Sequence, residues 1–280
     1  GSIVNLYVTP ITRLEFLLGK QAPYVGLAMV NYMSMVALGV FLFQVPIKGS
    51  LLALTLGAFV YTVATTGLGL LISAFARTYQ LLEEPADLAA AQRAAAFARR
   101  RLIAPSTGRL LRTLPSAGGA EIGAFAEDYA CHVQGLLDLY EADFEPAHLE
   151  WALALQDQQD ALFWDEAFGG YFGSAAGAAD VLIRIKETHD GAEPAAGSVS
   201  AMNLLRLSAI TGQGRYRRRA DELLAWFGAR LGDRPESLPQ ALAALEASWC
   251  EPQQVVIAGA RAADDTRALL RAVRRRFAPA

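Results

Sequence analysis

The pattern of apolar and charged positions divides the chain into two unlike parts. Residues 22–45 run for 24 positions without a charged side chain, and residues 51–76 for another 26. Each run is long enough to cross a hydrocarbon core of roughly 30 Å as an α-helix rising about 1.5 Å per residue. The connector PIKGS (46–50) leaves room only for a tight turn. The pattern predicts a segment at 1–21 on the cytoplasmic side, then a transmembrane helical hairpin over 22–78. In the second run Gly57, Thr62, Thr65, Thr66, Gly67, Gly69 and Ser73 are small or hydroxylic, types that allow close helix approach or bonds between helices. The stretch GLGLLI (67–72) fits a loose glycine pattern for nucleotides, but without a soluble strand ahead of it the glycines read as helix packing.

Beyond a junction at 79–84 the periodicity becomes that of amphipathic helices. Pro85 suits a first helical turn, and Glu83, Glu84 and Asp87 sit at the positive end of the dipole. Ala89, Ala90, Ala94, Phe97 and Leu102 make a narrow apolar face, and Arg99, Arg100 and Arg101 are favourably placed at that helix's end. Further helices are predicted at about 124–142, 146–162, 195–211, 215–231, 237–249 and 264–277, with one strand signal, QQVVIAG, at 253–259. The fold class expected is all-α: the transmembrane hairpin, then over 85–280 a partial α/α toroid of helical hairpins ending in one short strand.

Composition adds a charge division. Hydrophobic residues make up 53% of the 280, and the mean hydropathy is +0.25. Residues 1–80 hold four cationic side chains (Arg13, Lys20, Lys48, Arg77) and one acid (Glu15), so the remainder carries the acidic excess of a chain with net charge −3. That remainder has no basic surplus for nucleic acid. Arg13, Lys20 and Arg77 on one side of the hairpin against Lys48 at its turn favour a cytoplasmic placement of both ends. The expected localisation is therefore the bacterial inner membrane, multi-pass, with the C-terminal domain cytoplasmic and the lipid bilayer as a partner. A signal peptide is one alternative, but its apolar region would be too long and it lacks the cationic start and small-residue cleavage site; a buried soluble hairpin is the other. Cys131 and Cys250 lie far apart without metal-ligand spacing, and read as buried thiols of a reducing compartment. No metal or cofactor is expected.

Candidate chemistry lies at the helix entrances of the second part. EDYACHVQGLLDLYEA (127–142) places Glu127, Asp128, Tyr129 and His132 at the start of one helix. DALFWDEAFGGYFGS (160–174) puts Trp164 and Tyr171 beside a Gly-Gly turn, and KETHDGAEPAAGSVSAMNLLRL (186–207) leads His189, Asp190, Glu193 and Ser198 into another helix. In a toroid such entrances face one end of the central cavity. Carboxylates, imidazoles and rings gathered there suit a polyhydroxylated ligand, and paired carboxylates whose pKa values are separated by burial can act as acid and base. The structural alternative is that these acids cap helices and the aromatic rings fill core.

Two resemblances attach to these stretches. GSIVNLYVTPITRLEFLLGKQAPYV, followed by FLFQVPIKGSLLALTLGAFVYTVATTGLGLLISAFART, resembles the permease subunit of ABC-2-type exporters over nearly all of residues 1–78. The resemblance implies that residues 22–78 are the third and fourth membrane helices. It also implies that Thr9, Arg13, Glu15 and Lys20 lie where a nucleotide-binding subunit docks. No GxxxxGK[ST] occurs in the chain, and a single hairpin cannot enclose a transport path. From about Leu81 onward, EDYA…GLLDLYEA, WALALQDQQDALFWDE…GGYF and QVVIAG…DTRALL resemble the C-terminal part of the spermatogenesis-associated, thioredoxin-like protein family. That resemblance implies an (α/α)6 toroid similar to N-acylglucosamine 2-epimerase, of which only about half is present, and exposed inner apolar faces. Where the family carries a run like PSGNSV, this chain has Pro194-Ala195-Ala196-Gly197-Ser198-Val199, with fewer polar groups.

Three functions are consistent with this composite. The chain is an exporter fragment that cannot transport alone, or a tethered carbohydrate-type enzyme or pseudoenzyme, or a rearranged reading frame without a selected function. Catalysis ranks last, because half a cavity cannot hold a reacting group from all sides.

Overall fold

The computed structural model describes residues 29–30, 32–34, 36–42, 50, 55, 68–114, 121–178, 181–191, 194–252, 254–260 and 263–275. The chain divides into two compact units, Gly1–Gly67 and Leu68–Ala280. In the first, the described positions 29–37 are helical, Leu38–Leu42 forms a π-helical turn, and the hydroxyls of Tyr32 and Thr55 lie 3.4 Å apart. Most of the two expected membrane spans falls outside the described residues.

The second unit contains eight described α-helices: α1 (Leu68–Leu82), α2 (Pro85–Arg101), α3 (Ala126–Asp143), α4 (Pro146–Phe163), α5 (Ala196–Thr211), α6 (Gly214–Asp233), α7 (Pro239–Trp249) and α8 (Asp264–Arg275). The helices form hairpins. Helices α1, α3, α5 and α7 pack side by side in that order, while α2, α4 and α6 each lie against their hairpin partner. Three hairpin turns share one design. Each helix ends on a left-handed residue (Glu83 φ 53°, Phe144 φ 54°, Gly212 φ 69°) whose N–H returns to a carbonyl four residues back, at 2.8, 2.6 and 2.9 Å. An extended residue follows (Glu84, Glu145, Gln213), and in the first two turns a proline then opens the next helix, where its missing N–H costs nothing. Two-residue connections of this kind make antiparallel neighbours. The motif recurs as Glu-Glu-Pro and Phe-Glu-Pro, so α1 enters its hairpin as α3 does.

Helix α1 is the departure from expectation. It begins within the second expected span, and the unit boundary lies ahead of Leu68, upstream of the expected 79–84 junction. Its contact with α3 is backbone on backbone: a Cβ on Gly69 would stand 2.5 Å from the Cys131 carbonyl carbon, and one on Gly135 would stand 2.4 Å from the Gly69 oxygen. One helical turn on, Ser73 donates to Asp138 Oδ2 at 2.5 Å, and Arg77 Nε donates to the same oxygen at 2.9 Å. Gln80 reaches the Asp138 carbonyl at 3.0 Å. From α5, Arg206 approaches Asp138 Oδ1 at 2.8 Å and Glu141 at 2.7 Å. Burial alone would raise the Asp138 carboxyl, but Arg206 and Arg77 outweigh it and hold it below the ordinary carboxylate range. Arg206, buried with two acids, is held more firmly protonated than a free arginine.

These contacts correct the expected localisation. The described part of α1, Leu68–Leu82, is 15 residues. Its polar face matches an ionised carboxylate on α3 rather than lipid, and among the described residues no helix is long and apolar enough to cross a membrane. The expected multi-pass membrane placement is contradicted by that finding. The expected terminal strand is also absent among the described residues: 254–258 is irregular, with Val255 and Val256 exposed, because no neighbouring segment offers the backbone groups that a β-branched run needs in order to pair. Nor are the cysteines both buried, since Cys250 is exposed and Cys131 half-buried.

Candidate functional site

Antiparallel hairpins bring the start of α3, the end of α4 and the start of α5 to one end of the unit. A buried ladder fixes them: Gln159 on α4 donates to the Ala126 carbonyl at 3.0 Å and to the Ser200 hydroxyl of α5 at 2.9 Å, while Asn203 donates to the Ala130 carbonyl at 2.8 Å. Two groups of candidate side chains flank the ladder.

The first is a carboxylate cluster. Arg112 Nη1 lies 2.8 Å from Glu127 and 3.5 Å from Asp128, and its guanidinium covers the Phe125 ring at 4.6 Å. Asp128 also accepts the Phe125 N–H at 2.8 Å, half of a capping box. Burial pushes the Asp128 carboxyl up, Arg112 and the Phe125 amide only partly oppose it, and the result is about 6. Glu187 approaches from the segment before α5, and its carboxylate accepts the Ala196 N–H. Burial first, and then the Glu127 charge, lift it above the usual range. Arg112 with Glu127 and Asp128, and Glu187 near enough to Glu127 to feel its charge, make a surface that accepts hydrogen bonds and, while Asp128 is protonated below about pH 6, also donates one from a carboxyl.

The raised Asp128 has a stability consequence. Its folded pKa exceeds the unfolded value, so its contribution is complete below about pH 4 and is lost as pH rises through about 6. Asp138, with a depressed pKa, contributes in the opposite sense: its part is present above about pH 4 and fades in acid. Asp128→Asn is therefore expected to gain stability over the parent at pH 7 relative to pH 4, by at most about 3 kcal/mol, in urea unfolding at both pH values. An unchanged difference would remove the raised carboxyl.

The second group surrounds Tyr171. Its hydroxyl donates to Asp160 and accepts from Gln156 Nε2 at 3.2 Å, and its ring meets Trp164 edge-on at 5.0 Å. Arg219 lies over the Trp164 ring at 4.1 Å and 3.7 Å from Asp160. Burial raises Tyr171, and the neighbouring Asp160 charge raises it further. Trp164 and Tyr171 are themselves buried, so neither ring offers an open stacking face here.

The remaining expected residues take other places. Tyr129 is core: its hydroxyl accepts the Leu110 N–H at 3.0 Å and donates to Gln158 at 3.1 Å. His132 is buried with Nδ1 2.8 Å from the Asp128 carbonyl, and burial lowers its pKa, so the ring is neutral. Ser198 is fully buried at the start of α5. Asp190 is a tie, accepting the Ala195 N–H at 2.9 Å and the Gln240 N–H of α7 at 2.8 Å, while its own N–H reaches Ser237 at 2.7 Å. His189 is exposed beside it. Glu193, Thr9, Arg13, Glu15 and Lys20 lie outside the described residues. Among the described residues no group of His, Cys, Asp and Glu is arranged to hold a metal ion. A surface depression lined by Ala229, Arg230, Asp233, Arg234 and Ser237 contains none of the expected residues.

Sequence reasoning missed Arg112, Glu187, Asp160 and the buried Asp138–Arg206 pair. A signal for the last was present: Asp138 interrupts the apolar run GLLDLY at a position facing the core.

No family model matches the chain. Spermatogenesis-associated protein 20 of Homo sapiens is 43% identical over 219 residues, covering 75% of this chain and 28% of that protein. The chain thus spans just over a quarter of the length of that relative. The probable multidrug ABC transporter permease YbhS of Escherichia coli K12 is 40% identical over 77 residues, 28% of this chain and 20% of the permease. A GH76 alpha-mannanase from Bacteroides thetaiotaomicron superimposes with a TM-score of 0.49 at 15% identity, over 58% of this chain and 43% of the enzyme. The shares of the chain taken by the first two matches together exceed the whole, so some residues belong to both: the chain is similar over three quarters of its length to spermatogenesis-associated protein 20, and over a short overlapping stretch to an exporter permease.

Proposed function

We propose that residues 68–275 are part of an (α/α)6 toroid whose helix-entrance end binds a carbohydrate, in a chain that also carries an exporter-permease fragment and does not transport by itself. The observation that carries this reading is the cluster of Arg112, Glu127, Asp128 and Glu187. Carboxylates accept from sugar hydroxyls, Arg112 donates to them, and Asp128 supplies an acid near neutrality. The order of α1, α3, α5 and α7, each of the first three with an outer partner, is the layering that such a toroid requires. Similarity to spermatogenesis-associated protein 20 supports assigning this part a role distinct from export.

Binding rather than turnover is the reading, because Glu127 and Glu187 open to solvent and a reacting group must be held by a rigid, closed shell. Calorimetry of the full chain against neutral mono- and disaccharides should give a binding heat that Glu187→Gln weakens by roughly tenfold, the loss of about 1.4 kcal/mol expected for one charged hydrogen bond. Asp190→Ala is unsuited to this test, since it unties α5 from α7. No heat with any sugar would remove the proposal.

A further inference from the structure

After α7 the chain turns back along the helical unit. Gln254 Nε2 donates to the Ala209 carbonyl at 3.0 Å, in the last turn of α5. Further on, α8 lies against α1. Arg274 Nη2 donates to the Ala142 carbonyl at 2.8 Å and the Glu141 carbonyl at 3.5 Å, both in the last turn of α3. The same guanidinium stands 5.3 Å from the centre of the Tyr79 ring, in the last turn of α1. Arg271 Nε lies 3.1 Å from Glu83, the left-handed residue that ends α1. The tail thus meets the C-terminal ends of α5, α3 and α1, whereas the carboxylate cluster lies at the N-terminal ends of α3 and α5.

Those ends are short of partners. The last four carbonyls of a helix find no N–H within it, and together they carry a partial negative charge. A glutamine amide on α5 and an arginine on α3 supply the missing donors. Burial along α8 shows the same engagement: Thr266 is buried, Leu270 and Arg274 are half-buried, and Arg267, Ala268, Leu269, Arg271, Ala272 and Val273 are exposed. Positions 266, 270 and 274 lie four apart, a single row along the helix. That row holds one large apolar side chain, too little area to dock a helix, so its polar contacts decide whether α8 stays in place. The entry to α8 is fixed as well. A Cβ on Gly259 would overlap the Thr266 hydroxyl, so the segment ahead of α8 folds onto its first turn because glycine stands there.

We propose that residues 254–275 are a strap that ties α1, α3 and α5 together at their C-terminal ends, with Arg274 as its fastening, and that α8 opens as one segment while the helices above it stay folded. Its narrow buried row and wide exposed face put α8 at the low end of local stability. Arg271 adds little to the closed state, since it is 55% exposed and Glu83 37%. The strap works whether or not the helix entrances bind a sugar.

Hydrogen exchange of the full chain, read peptide by peptide by mass spectrometry, tests this. Arg274→Gln should speed exchange of residues 264–275 about tenfold and that of the last turns of α1 and α3 about threefold, with α6 unchanged. Arg274→Lys keeps a cation at the two carbonyls and should stay close to the parent. A charge reversal gives a second test that spares every buried group: Glu83→Arg and Arg271→Glu should each speed residues 264–275 about threefold and together restore the parent rate. The strap is overturned if residues 264–275 exchange without protection in the parent, as an undocked helix of that length would. It is equally overturned if Arg274→Gln frees α8 but leaves the ends of α1 and α3 unchanged, if α6 speeds up as much as α8, or if the double reversal restores nothing.

Discussion

Asp138→Asn should cost the helical unit about 3 kcal/mol, because it leaves Arg206 buried with only Glu141 to balance it. Arg206 is 5% exposed and Asp138 1%, so neither charge can recover its hydration when its partner is lost. Arg77 contributes differently. Its side chain is 46% exposed and can turn to water, so Arg77→Gln should cost no more than about 1 kcal/mol although it breaks a bond to the same carboxylate. Chemical unfolding of both variants, followed by helical circular dichroism, checks the pair. Similar small losses for both would mean that Asp138 is no junction between α1, α3 and α5.

Gly135→Ala is expected to destabilise by about 3 kcal/mol, at or beyond the upper end for overpacking. The added methyl meets the Gly69 oxygen, a backbone atom of another helix, so relief requires the two helices to move apart. That separation would also lengthen the bonds from Ser73 and Arg77 to Asp138. Gly123→Ala is the comparison: a methyl there meets nothing within 4 Å and the glycine has no positive φ, so its effect should stay within about 0.5 kcal/mol. Thermal melts of the two variants separate a close helix crossing from a general intolerance of alanine.

Much of the helical unit was legible in sequence. The expected helices at 124–142, 146–162, 195–211, 215–231 and 237–249 differ from α3 to α7 by a few residues at their ends, since strong apolar periodicity and Pro or Gly at the turns punctuate them. Gly69 was legible as a packing glycine, though not the helix it packs against. Helix α1 was misjudged because hydropathy sees a run of apolar residues and not the one carboxylate across from it. Ser73, Arg77 and Gln80 look like the frayed end of a membrane helix until Asp138, some sixty residues on, supplies their partner. The site was only half visible for a similar reason. Asp128 was found from its place at a helix entrance, but Arg112 and Glu187 come from irregular segments that no periodicity flags. Asp190 has the same sequence signature as Asp128 and proves to be a cap.

Helix α1 belongs to the helical unit although its sequence falls in the permease-like stretch. The measurement that tests it most directly compares two truncated chains, residues 68–280 and residues 83–280, by denaturant unfolding. If the first unfolds cooperatively and the second shows no cooperative transition, α1 is an integral helix that closes the hairpin with α2 and pairs with Asp138. If residues 83–280 unfold cooperatively at the same midpoint as residues 68–280, α1 contributes nothing, and the helical unit begins at the junction that hydropathy alone suggests.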